Sequence, residues 1–120
     1  MRFMLIRRAD KQTEAGVLPS AEMLTAMTKY NQEMAAAGVF IDGIGLRDTS
    51  KAARVKITGA TPIVTDGPFT ETKELIAGFT LIRANSLADA IEWVKKWPAL
   101  DAGAEIEVRQ LFEPDDFQKK

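Results

Sequence analysis

The chain has 120 residues, 46% of them hydrophobic and 28% charged, with a net charge of −1. That is the mix of one folded domain with a modest core, spanning 1–120, and it holds no excess of Lys and Arg to neutralise nucleic-acid phosphates. It contains neither Cys nor His. Disulfides, thiolate metal sites, cysteine nucleophiles and the commonest general base are thereby excluded.

Phe3 to Arg7 reads as the first strand. Phe3 and Leu5 alternate with Met4 and Ile6, so both faces are apolar, as in a central strand. This apolar run is too short for a signal-peptide core or a membrane span, and the expected location is the cytoplasm. Ala9 to Leu18 reads as a loop. Ser20 is placed to cap a helix, with Glu22 in its first turn. Met23, Met27, Tyr30 and Met34 give that helix one apolar stripe, and Gly38 stops it. The stripe is core by composition; the Tyr30 hydroxyl is its one polar group able to reach a cavity edge.

Val39 to Leu46 is a second strand containing Gly43 and Gly45, and glycines in strands mark bulges or close backbone approaches. Arg54 to Thr58 and Pro62 to Thr65 form a hairpin, with Val55 and Ile57 expected inward. Leu75 to Ala84 is the longest strand and is apolar on both faces. Ser86 opens a second helix in the manner of a capping box. Its expected apolar stripe is Leu87, Ala90, Ile91, Val94 and Trp97, and Trp97-Pro98 ends it. Leu100 to Ala104 is a loop, and Ile106, Val108 and Phe112 mark the last strand.

This order predicts an α+β fold near βαββαβ: a mostly antiparallel sheet with two helices on one face. Two helices cover one face only, whereas two strands are apolar on both. A second copy of the chain is the simplest cover, with the sheets packed face to face or closed as a barrel around a cavity. The expected partners are therefore the chain itself, as a homodimer, and an unidentified small molecule. Nucleic acid and membrane are not expected partners, and no cofactor is called for.

One stretch stands apart between two strands. In Asp66-Gly67-Pro68-Phe69-Thr70-Glu71-Thr72-Lys73-Glu74, a Gly-Pro turn is followed by an aromatic anchor and a polar string. The plainer reading is a well-made turn followed by a solvated charge run. The functional reading is a binding loop with Asp66, Glu71 and Lys73 as catalytic candidates. Arg7, Tyr30, Asp66, Glu71 and Lys73 are then the ligand-binding candidates: Asp66 or Glu71 as base, Lys73 or Arg7 orienting an anion, Tyr30 as a weak acid. Asp42, Asp66, Glu71 and Glu74 are oxygen donors suited to a hard cation, but no ligand spacing demands a metal, and none is assigned.

The segments Asp66-Gly67-Pro68-Phe69, Glu71-Thr72-Lys73-Glu74 and Ile76-Ala77-Gly78-Phe79 resemble the signature of the DGPF proteins of the YCII-related family. Phe3-Met4-Leu5-Ile6, Lys51-Ala52-Ala53-Arg54-Val55 and Glu105-Ile106-Glu107-Val108-Arg109 extend the likeness along the chain. The resemblance implies a ferredoxin-like dimeric α/β barrel. The family's suspected activity is tied to a His and Asp pair, with the His on the first helix, and this chain has no His. DGPF relatives often neighbour extracytoplasmic-function sigma factors, which implies the alternative function of an accessory protein with a protein partner.

Overall fold

In the computed structural model, which describes residues 1–71 and 74–118, two layers form a slab 18 Å in its shortest dimension. The sheet layer contains β1 (Arg2–Arg8), β2 (Phe40–Gly45), β5 (Ile76–Arg83) and β6 (Ile106–Gln110). Their order is β2-β5-β1-β6, and every neighbouring pair is antiparallel. The other layer holds α2 (Ala21–Ala36) and α3 (Leu87–Val94). Topology and order are those of a ferredoxin-like α+β fold.

Both helices start where local chemistry demands. The Ser20 hydroxyl accepts the Met23 N–H at 3.0 Å, and the Ser86 hydroxyl accepts the Asp89 N–H at 3.1 Å. Gly38 takes φ +75° just past α2, a region that favours glycine. Phe3 and Leu5 of β1, Ile82 of β5, Tyr30 and Met34 of α2, and Ala90 of α3 form the buried core. The α3 stripe is rotated from the sequence expectation. Ala90, Trp93, Val94 and Trp97 pack on the core, while Leu87 and Ile91 are exposed. The short, small Ala90 lets the helix approach the sheet, and the flanking tryptophans then fill the sides.

Three further features depart from the sequence reading. The loop after β1 contains a short helix, α1 (Lys11–Glu14), capped by Asp10 and Thr13. The last strand ends at Gln110, leaving Phe112 exposed. Finally, β3 (Ala53–Lys56) and β4 (Ile63–Asp66) pair with each other in a separate two-stranded sheet, and both are exposed throughout. Val55 and Ile57, expected inward, lie 55% and 78% exposed. Val55 alternates with charged neighbours, but among the described residues the hairpin has no layer to face.

The outer face of the main sheet carries Met4, Ile6, Phe79 and Leu81, all half-buried, and the exposed Ile44. The apolar alternation of β1 and β5 is thus real on both faces, although the helices cover one. No helix among the described residues is long and apolar enough to cross a membrane.

Candidate functional site

A cavity of about 580 Å³ lies between α2, the β2 edge of the sheet and the loops that follow β1 and α3. Its floor is made by missing side chains. Gly43 pairs with Thr80, and Gly45 pairs with Gly78, on the helix-facing side of the sheet. A Cβ on Gly78 would sit 2.8 Å from the Ile44 carbonyl oxygen, so the strands approach too closely for any other residue. Where Phe3 and Leu5 fill the space under the helices farther along, these glycines leave it open. Met23, Met27 and Leu24 of α2 line one wall, a flexible apolar surface that adapts to the shape of an occupant.

The polar end is built around Arg7. By strand alternation Arg7 shares the face of Phe3 and Leu5, so its guanidinium leaves the core and needs an anionic partner. Asp101 provides it: Nε to Oδ2 is 2.9 Å and Nη2 to Oδ1 is 2.7 Å, a bidentate pair. The two side chains are 17% and 15% exposed. The Trp97 indole N–H donates to the same carboxylate at 2.9 Å, and Arg7 Nη1 donates to the Arg8 carbonyl at 2.9 Å. Asp10 stands 3.4 Å from Arg7 Nη2.

Burial pushes the Asp101 carboxyl up, but hydrogen bonds from Arg7 and Trp97 and the charge of Arg7 outweigh it and hold the group below its usual range. The Asp10 carboxyl is also held low, first by the Thr13 backbone N–H and then by Arg7. Asn31 on α2 also lines the cavity, and its buried amide oxygen has no hydrogen-bond partner among the described residues. Buried side-chain acceptors are usually hydrogen-bonded, so this one is an exception.

The candidates from sequence divide sharply. Arg7 lies in the cavity. Tyr30 does not line it but belongs to the core: its hydroxyl donates to the Trp93 carbonyl at 2.5 Å, its ring meets Trp97 edge-on, and burial followed by the Glu33 charge pushes its pKa up to about 12. Asp66 and Glu71 are exposed and lie away from the cavity; Glu71 stands 3.7 Å from Arg54, whose guanidinium stacks 3.8 Å above the Phe69 ring. Lys73 falls outside the described residues. Among the described residues no three acidic groups gather to hold a metal ion.

Asp10, Trp97 and Asp101 were missed because their segments read as loops or as a helix end. The signal was Arg7 itself. A cation at the end of a core-facing row requires a carboxylate from a neighbouring connection.

The fold is that of a ferredoxin-like α+β protein with a partly open cavity beneath its first long helix. The chain belongs to the YCII-related domain family, whose model matches residues 1–113. An uncharacterised protein of Rhizobium meliloti (strain 1021) is 43% identical over 47 residues, a match that spans 39% of this chain and 38% of that protein. Among solved structures, 5-chloro-2-hydroxyhydroquinone dehydrochlorinase from Burkholderia phenoliruptrix, in complex with 2,5-dihydroxybenzoquinone, superposes with a TM-score of 0.53. That alignment covers 97% of this chain and 98% of the other at 15% identity, a likeness of fold.

Proposed function

We propose that this protein binds a small, ring-sized organic molecule with polar substituents in the cavity beneath α2. The observation that carries this reading is a cavity of about 580 Å³ joining a Met-rich wall to the Arg7–Asp101 pair and the unpartnered Asn31 oxygen. Its size falls in the range of about 300–1,000 Å³ typical of small-ligand sites, and few polar groups in an apolar lining is their usual composition. A structural neighbour solved with a dihydroxybenzoquinone supports the ligand class.

Binding is favoured over acid–base catalysis. Asp10 and Asp101 are both held low, whereas a general base works best with a pKa near the operating pH. Arg7 is already neutralised by Asp101 and faces Asp10 as well, so it offers little free positive charge to a developing oxyanion.

The test uses Trp97, which lines the cavity, as a reporter in a Trp93→Phe background. Hydroxylated benzenes and quinones, 2,5-dihydroxybenzoquinone among them, are titrated while fluorescence and the indole N–H resonance are followed. At least one should saturate with a dissociation constant on the order of micromolar. No response from any member up to about millimolar concentration would overturn the reading.

A second reading rests on the exposed hairpin. An isolated two-stranded hairpin is marginal in water, and Val55 and Val64 stand opposite each other on one uncovered face. The proposed partner is a second copy of the chain, giving a cytoplasmic homodimer with the outer sheet faces together as a dimeric barrel. The Asp66–Phe69 sequence supports placement in the DGPF branch of the family. A sigma-factor system is the alternative partner. Sedimentation separates them: two chains per particle at micromolar concentration supports self-association, and a monomer at every concentration supports the alternative.

A further inference from the structure

The Asp66–Phe69 turn, the most distinctive stretch of the sequence, lies outside the cavity, yet it is tied to the cavity's mouth. Thr49 makes the connection. Its backbone N–H donates to Glu14 Oε1 at 2.9 Å, and its hydroxyl donates to the same oxygen. Glu14 ends α1, and the neighbouring Thr13 and Gly16 line one side of the mouth. Thr49 follows Arg47 and Asp48, which line the other side. The two sides nearly touch: a Cβ on Gly16 would lie 3.5 Å from Asp48 Oδ1.

The turn acts on this joint from outside. The Phe69 N–H donates to Thr49 Oγ1 at 2.9 Å. A hydroxyl has one proton and two lone pairs. With a lone pair taken by Phe69, the proton is left to point at Glu14. Gly67 holds the turn in place through its N–H to the Ala52 carbonyl at 2.9 Å, and any Cβ there would run into the Thr49 carbonyl. The glycine is therefore required by close approach, and its φ lies outside the left-handed region.

We propose that Thr49 is a positioning residue, oriented by the Gly67–Phe69 turn, that clamps the two sides of the cavity mouth and thereby sets ligand affinity. The proposal rests on the cavity reading above, but one of its tests is independent of any ligand.

Thr49→Val keeps the shape and removes the hydroxyl; Thr49→Ser keeps the hydroxyl. Amide hydrogen exchange in the unliganded protein reads the clamp directly. Exchange at Ala15, Gly16 and Val17 should rise about tenfold in Thr49→Val and return to within about twofold of wild type in Thr49→Ser. Binding of 2,5-dihydroxybenzoquinone should weaken about tenfold in the first variant and recover in the second. Exchange at those amides that is equal in all three proteins overturns the proposal, whether or not the probe binds. If wild type binds no probe while exchange follows the expected pattern, the clamp stands and the cavity reading falls. Weakened binding in both variants also overturns the proposal, because a hydroxyl clamp must be rescued by serine.

Discussion

The main sheet and the β3–β4 hairpin are made from the same kind of sequence and meet opposite fates. In the sheet, Phe3, Leu5 and Ile82 alternate with other residues and are fully buried. In the hairpin, Val55 alternates with Arg54 and Lys56, and it, Ile57 just past β3 and Val64 of β4 remain 55%, 78% and 62% exposed. Alternation specifies a strand with two unlike faces. It carries no information about what covers the apolar one. For the sheet the cover is encoded nearby, in two capped helices. For the hairpin it is not encoded within the described chain.

The largest test of that contrast is a matched pair of truncations. Ile82→Ala should cost about 3 kcal/mol, since it opens a cavity in the core. Val64→Ala should change chemical unfolding of the isolated chain by less than about 0.5 kcal/mol. If the hairpin docks on a second copy, Val64→Ser should shift sedimentation toward monomer, a readout that stability alone does not move.

Next in size is the joint between hairpin and body. Gly67→Val should destabilise by about 2 kcal/mol or more, because the side chain must displace the Thr49 carbonyl. Glu71→Ala, half-exposed beside Arg54, should stay within about 0.5 kcal/mol. Equal melting temperatures for the two would show that the turn does not pack on residues 49–52.

Asp101→Asn should cost about 2 kcal/mol, since Arg7 is left with a neutral partner in a mostly buried place. The pH dependence has a definite sign. Asp101 and Asp10 are held below their ordinary values in the folded chain, so their contribution is present above about pH 4 and is lost as pH falls through the lowered folded values. Acid unfolding of Asp101→Asn should therefore be flatter below that pH than that of wild type. The smallest expected effect is Arg109→Ala. That side chain is largely exposed, its partner Glu107 also pairs with Arg8, and the melting temperature should be nearly unchanged.

Much of the fold was legible because its signals are local. Ser20 and Ser86 cap as their positions predict, and Gly45 in β2 does lie at a close backbone approach, opposite Gly78, whereas the register shift of β2 falls at Ile41 and not at either glycine. The rotation of α3 was not legible, because Leu87 and Ile91 fit a helical stripe as well as Trp93 does, and only the sheet decides. At the site, Arg7 was named from the sequence as a cation able to orient an anion, and it does line the cavity. Asp10 and Asp101 were not, because a carboxylate in a loop looks the same whether or not it meets a guanidinium. The dense polar run after Phe69 gave no sign of which way it faces.

The glycine floor leaves one position at which the cavity can be resized. Gly78 is fixed by the Ile44 carbonyl, and Gly43 already stands 3.4 Å from Phe40 at its would-be Cβ. Gly45, on the same floor, has nothing within 4 Å of that position. A side chain can be added there without disturbing the sheet, and each added methyl subtracts from the space beneath α2. On the binding role proposed above, a single codon at the sheet edge sets the size of the guest, while the scaffold, its hydrogen-bond ladder and its core stay as they are.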